Sequence, residues 1–205
     1  MAQVDTLRAD IVSWLLDRTD IIPNIDGFIA LAEADFNDQI RTREMQKTAV
    51  LTQQVDGSYT LPADFIEWQE ANLANSTARP LKRVGEDFFA YNKNLVTSGP
   101  AKYLLIRSSQ ILLVPEPAGT TLQFRYYGKI PSILDGDNWL YSRRPGAYLF
   151  TCCKYAAKYL ANGELEDRMG VYADREIEKL SEADGRNRWA KTTVMFQDSR
   201  SGPRP

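Results

Sequence analysis

The side chains able to do chemistry are few in this sequence, and what is missing excludes as much as what is present. There is no histidine among the 205 residues, which removes Ser-His-Asp and Cys-His nucleophilic arrangements, helical His-Glu-x-x-His zinc sites and histidine general bases. The two cysteines, Cys152 and Cys153, are adjacent. Neighbours on a helix point in different directions and are badly placed to bridge. Without histidine or further cysteines they cannot complete a structural zinc site. They read as small core residues on a helix, in a protein of a reducing compartment. Carboxylates gather at Glu67 and Glu70, and again at Glu164, Glu166 and Asp167. Such groups can do acid/base work, but the second set opens a helical segment, where anions stabilise the positive dipole end. Asp135-Gly136-Asp137-Asn138 clusters oxygens that suit a cation, yet lacks the spacing and distal glutamate of a calcium loop, and reads as a solvated turn. Neither G-x-x-x-x-G-K-S/T nor G-x-G-x-x-G is present to cradle a phosphate. The expectation is a chain with no catalytic residue, no metal site and no cofactor, in which Trp68 and Trp139 serve packing or an interface.

Charge narrows the partners. The balance of 25 Lys+Arg against 27 Asp+Glu gives a net charge of -2, whereas tight non-specific duplex binding draws its affinity from a basic excess. The chain as a whole is not built to grip DNA. One segment departs from this balance. From Arg186 onward the side chains are Arg186, Arg188, Lys191, Arg200 and Arg204 against Asp198 alone, with Trp189, Val194, Met195 and Phe196 interleaved. Purely solvated tails are poor in large apolar residues. This one reads as an arm that orders on a protein partner, with Met195 as an adaptable contact; a nucleic-acid arm competes, because arginine with aromatics also suits stacking and phosphate. The candidate partner-binding residues are Arg186, Arg188, Trp189, Lys191, Val194, Met195 and Phe196.

The elements that must position this arm follow from periodicity. Val4, Leu7, Ile11 and Trp14 form one helical face, and Ile25, Phe28, Ile29, Ala32, Phe36 and Ile40 another, with Asn24 as N-cap and an end near Arg41 to Arg43. The period then changes to two. Residues 48–53 alternate as a strand, Asp56-Gly57 signals a hairpin, and Tyr59 and Leu61 return. A strand over 66–73, a turn at Asn75-Ser76, a brief strand over 81–84 and a short helix over 85–92 follow. Residues 103–106 and 111–114 form a second hairpin, ended by Pro115 and Pro117, and 120–127 a further strand. Helical period returns with Pro145 in a first turn and the stripe Tyr148, Cys152, Tyr155, Ala156, Tyr159. Asn162-Gly163 stops it, and Leu165, Met169, Tyr172, Ala173, Ile177 and Leu180 carry the last helix to Gly185. The predicted fold is α+β: helices of 1–44 and 136–185 pack as one bundle, 45–135 is an inserted antiparallel β region, and 186–205 is an extended C-terminal arm. Met1-Ala2-Gln3-Val4-Asp5 does not open a signal peptide, and no apolar run approaches the roughly 18 residues of a membrane helix, so a soluble protein made in a cytoplasm is expected.

Several stretches, in this order, resemble the head-to-tail adaptor (connector) proteins of tailed bacteriophages and gene transfer agents. They are Ile25-Asp26-Gly27-Phe28-Ile29-Ala30-Leu31-Ala32-Glu33-Ala34 with Arg41-Thr42-Arg43-Glu44-Met45, then Tyr59-Thr60-Leu61-Pro62-Ala63-Asp64-Phe65, and the Ser98-Gly99-Pro100 loop. Leu112-Leu113-Val114-Pro115-Glu116-Pro117, Tyr126-Tyr127-Gly128-Lys129-Ile130-Pro131 and the aromatic-rich helix from Tyr148 to Leu160 complete the set. The resemblance implies a non-enzymatic virion subunit, made in the bacterial host cytoplasm and placed in the neck. It implies a homo-oligomeric ring, a dodecamer, that sits below the portal protein, extends the DNA channel and gives the tail or nozzle its platform. In such proteins helices pack side by side around the ring and C-terminal arms reach the portal. DNA would pass without sequence-specific binding, and no membrane is involved. The competing readings are a different neck or tail-completion ring, a small DNA-packaging component, and a carboxylate-based hydrolase. Beyond Phe196 the tail matches no pattern of the family.

Overall fold

The computed structural model describes residues 2–73, 80–96, 98–117 and 119–189, with residues 187–189 by backbone alone. The chain divides into two compact units, one holding it up to Arg43 and again from Ile130, the other running from Glu44 to Lys129. The fold is α+β.

The first unit is helical. In α1 (Gln3–Trp14) Leu7 and Ile11 are buried, whereas Trp14, expected on the same stripe, stays half exposed and Leu15 is buried instead. Trp14 stands edge-on to Phe150 at 5.3 Å. The chain leaves α1 through Leu16 and Asp17, both at positive φ of 60° and 54°. Every apolar position expected in α2 (Ile25–Gln39) is buried: Ile25, Phe28, Ile29, Ala32 and Phe36, with Ile40 just beyond. Asn24 makes no side-chain cap, however. It ends a 3-10 turn (Ile22–Asn24) with Pro23 near its start, which runs straight into α2 and leaves no extended N-cap residue for a side-chain cap to act from.

A short helix that periodicity missed, α4 (Trp139–Arg143), precedes α5 (Pro145–Tyr159), which has Pro145 in its first turn as expected. Residues of α5 buried here include Tyr148, Cys152, Cys153, Ala156 and Ala157, and Phe36 meets Tyr148 edge-on at 4.9 Å. The last helix, α6 (Gly163–Trp189), buries Met169, Ala173 and Leu180. Residues 130–135, expected with the β region, belong to this unit because α2 captures their backbone. Asn37 Oδ1 accepts from Ile130 N at 2.9 Å and Glu33 Oε1 from Ile133 N at 2.8 Å.

In the second unit, β1 (Gln46–Thr52), β7 (Thr121–Gly128) and β3 (Phe65–Leu73) form an antiparallel sheet in the order β1-β7-β3. The other sheet has the order β2 (Tyr59–Thr60), β6 (Gln110–Val114), β5 (Tyr103–Arg107), β4 (Lys82–Arg83). It is mixed, since β4 pairs parallel with β5 over two residues. Leu104, Ile111 and Leu113 of one sheet and Ala71, Leu122, Phe124 and Tyr126 of the other share one core. The alternation expected along β7 is kept, with Leu122, Phe124 and Tyr126 buried between exposed Gln123 and Arg125. In β3 it is lost, because two register shifts interrupt its pairing. The turn at Asp56-Gly57 forms with Gly57 at φ 79°, but β1 and β2 enter different sheets, so the expected hairpin is not a ladder. The β5–β6 hairpin closes through Ser108-Ser109. Helix α3 (Glu86–Leu95) covers that sheet with Phe89, which packs near Leu105 and Val114. The expected turn at Asn75-Ser76 lies outside the described residues.

Candidate partner-binding site

The arm singled out in the sequence continues from α6, and α6 is held firmly at several points. Asn162 Oδ1 accepts from Leu165 N at 3.1 Å and starts the helix, with Glu164 and Glu166 in the first turn, where the dipole favours them. Near its middle Glu176 pairs with Lys179 at 2.5 Å and Arg144 at 3.6 Å. A Cβ at Gly146 would meet Phe150 at 3.3 Å and Glu176 at 3.4 Å, so glycine there lets α5 lie close to α6. Near its end Arg43 Nε donates to the 9% exposed Asp184 at 3.0 Å, joining the segment after α2 to the last turns of α6.

These anchors explain why the helix does not stop at Gly185, as expected, and runs to Trp189. A glycine inside a helix costs about 1 kcal/mol relative to alanine, which buried Leu180 and the Arg43–Asp184 pair offset. Of the assigned arm residues, Arg186 is exposed on α6, and Arg188 and Trp189 lie on its last turn. Lys191, Val194, Met195 and Phe196 lie outside the described residues.

The candidate chemical groups are placed in structural roles. Cys152 and Cys153 are buried and unbridged. Burial pushes the Cys152 thiol well above its ordinary range and the Cys153 thiol up to about 12, which works against a thiolate nucleophile. Glu70 accepts from Asn72 and Arg125 within the sheet region. Asn138, expected in a solvated turn, is 1% exposed and caps α4, accepting from Leu140 N at 2.7 Å. Its amide nitrogen donates to the Pro131 carbonyl and to the Tyr148 hydroxyl, 2.7 Å away, and that hydroxyl donates to Glu33 at 3.2 Å. The pattern Asn-Trp-Leu-Tyr is a cap signal that could have been read before α4. In the β unit Asp64 bridges Lys47 at 2.5 Å and the Tyr126 hydroxyl at 2.9 Å. Burial works against the Asp64 carboxylate, but these two hydrogen bonds outweigh it and hold its pKa below the usual value. Burial and then Asp64 push Tyr126 up to about 12.

Two exposed surfaces stand out among the described residues. One is the outer face of α6, charged apart from Val171 and Ser181. The other is an apolar stripe on α3, where Phe88, Tyr91 and Leu95 are 46%, 67% and 61% exposed. Among the described residues no group of three His, Cys, Asp or Glu side chains is placed to hold a metal ion, and no helix is long and apolar enough to cross a membrane.

The family model described as SU10 adaptor protein matches residues 2–196. The chain belongs to the SU10 adaptor protein family. This is a family of phage head-to-tail adaptors, and its role is structural. All seven assigned arm residues fall within the matched span. No curated protein matches the adaptor.

Proposed function

We propose that the adaptor is a non-enzymatic neck subunit whose copies form a ring, a dodecamer, which binds the portal protein, extends the DNA channel and presents a platform for the tail or nozzle. The observation that carries this reading is the family match across residues 2–196. The near-neutral charge supports a conduit through which DNA passes without sequence-specific binding. The anchored base of α6 supports the arm as the portal contact, with Arg186, Arg188, Trp189, Lys191, Val194, Met195 and Phe196 as its residues. An arm that orders only on its partner gives up entropy on binding, which interface contacts must repay.

Removing residues 190–205 leaves α6 its full length. The truncated chain is expected to keep its circular dichroism spectrum and to lose co-sedimentation with the cognate portal. Portal binding at full-length affinity would overturn the assignment of Lys191, Val194, Met195 and Phe196 as portal contacts.

A further inference from the structure

Sheets recruit further strands at their edges, and natural sheets blunt an edge with short strands, proline, bulges or charge. Among the described residues three of the four edge strands are blunted. β2 and β4 have two residues each, with Pro80 shortly before β4. In β3 two register shifts break the ladder, and Leu81 N, from outside that ladder, donates to Ala71 O at 2.9 Å. β1 carries none of these devices. Its seven residues run in unbroken register with β7 and include no proline. Its one charge, Lys47, is tied to Asp64 at 2.5 Å. Among the described residues nothing hydrogen-bonds the side of its backbone turned away from β7. On its inner face Ala49 and Leu51 pack on the shared core yet stay only half-buried, and on its outer face Val50 is 63% exposed. An added strand would cover these side chains and pair the free backbone groups, which is how extended segments dock on sheets.

The arm carries a segment with the pattern of such a strand. Lys191-Thr192-Thr193-Val194-Met195 follows Lys47-Thr48-Ala49-Val50-Leu51, with the same residue at three of the five positions. Thr192, Thr193 and Val194 are β-branched and Phe196 is aromatic, a composition that favours strands. Laid on the edge in this pattern, Thr193 and Met195 extend the inner face of Ala49 and Leu51, and Thr192 and Val194 extend the outer face of Thr48 and Val50. The edge belongs to another copy. Only Ala190 separates Trp189, the last residue of α6, from Lys191. A helix that places a strand in its own domain turns back through a connection of about two to six residues. One residue does not make that turn, so the segment runs on from its helix.

We propose that Lys191–Phe196 of one copy adds as a strand to the free edge of β1 in another copy. The proposal rests on the reading of the arm as a partner-binding segment, and it gives that segment a seat in chains that have not met the portal. Portal binding takes the segment off β1. Each copy gives one strand and accepts one, which makes the contact head-to-tail.

Variants of the full chain test it. Val194→Pro removes an amide donor from the arm strand. Without portal, the β1 amides are expected to exchange at least about tenfold faster in Val194→Pro than in the wild-type chain, with exchange in α2 unchanged. Adding portal to the wild-type chain is expected to speed β1 exchange in the same way. In a second set, Val50→Cys is combined in turn with Thr192→Cys, Val194→Cys and Phe196→Cys. Facing Cβ atoms on paired strands lie about 5 Å apart, within reach of a disulfide, and the native Cys152 and Cys153 are buried. Mild oxidation is expected to link copies into dimers and longer chains for one of these pairs, several-fold more than when Val55→Cys, fully exposed beyond the strand, replaces Val50→Cys. Equal β1 exchange in the wild-type chain and Val194→Pro overturns the proposal, as does cross-linking no better than with Val55→Cys. A cross-link confined to monomers overturns it too, because it puts the arm on its own chain. Portal affinity is measured alongside. Loss of portal binding in Val194→Pro with β1 exchange unchanged sinks this proposal and leaves the portal reading standing. Faster β1 exchange with portal binding at wild-type affinity supports strand addition and removes Val194 from the portal contact.

Discussion

Replacing Asn138 by alanine tests how the helical unit holds the segment between Ile130 and α4. Asn138 is 1% exposed, and its carboxamide serves four partners, Leu140 N, Tyr141 N, the Pro131 carbonyl and the Tyr148 hydroxyl. Its oxygen caps α4 through Leu140 N at 2.7 Å, and its nitrogen donates to the Pro131 carbonyl and to the Tyr148 hydroxyl at 2.7 Å. Loss of the cap costs about 1 kcal/mol. The Pro131 carbonyl loses its donor in a part-buried site, for about 1 kcal/mol more. Tyr148 keeps its bond to Glu33 at 3.2 Å, so its loss is smaller, about 0.5 kcal/mol. The expected destabilisation is about 3 kcal/mol once the small void is included. Asn138→Ser keeps a capping oxygen and should cost about 1 kcal/mol less. The assay is urea unfolding followed by far-ultraviolet circular dichroism. With a slope of about 2 kcal/mol/M, the alanine variant should lower the midpoint by about 1.5 M. A double-mutant cycle with Tyr148→Phe should show coupling of at least about 0.5 kcal/mol. A midpoint shift below about 0.3 M, or no coupling with Tyr148, would refute the claim that this buried network holds the segment in place.

Other perturbations have defined outcomes. Lys47→Met removes the cation beside Asp64 and should destabilise the β unit by about 1 kcal/mol at neutral pH, a value reduced for partial exposure. The folded pKa of Asp64 lies below its unfolded value. Its contribution is therefore present above about pH 4 and lost as pH falls through the folded value, so Lys47→Met should flatten the acid limb of the stability profile. Leu16→Gly relieves a 90% exposed leucine held at φ 60°; denaturant titration should show a gain of up to about 1 kcal/mol, whereas a loss would mean that the leucine makes contacts that matter. Cys152 and Cys153 should resist a thiol reagent such as dithionitrobenzoate in the native protein and both react once urea unfolds it; rapid native labelling would contradict their burial. Arg43→Ala should speed amide exchange in the turns of α6 around Asp184 and leave exchange near Asn162 unchanged.

The parts of the fold legible in the sequence are those where one face is buried against one partner. The stripe of α2 and the alternation of β7 satisfy that condition, and both appear where periodicity placed them. The misses have particular causes. Asn24 has the right residue type for a cap, but the preceding 3-10 turn removes the extended conformation a cap needs. Asp56-Gly57 encodes a turn and says nothing about which strands pair beyond it. Gly185 carries a helix-stop signal that tertiary anchoring by Arg43 and Leu180 overrides. Asn138 was hidden in a polar run because a capping side chain and a solvated one have the same composition. The cysteines were legible as buried helix residues because they fall at the inward positions of a helical stripe, and Glu164 and Glu166 as first-turn residues because Asn162-Gly163 marks a helix boundary.

The central claim is that this chain assembles with itself on a portal. The most direct measurement is the mass of the purified chain alone and mixed with its cognate portal, by light scattering coupled to size exclusion. The account predicts a ring, or a complex formed on the portal, whose added mass corresponds to twelve 23.3 kDa chains. A chain that elutes as a monomer in both conditions would contradict it.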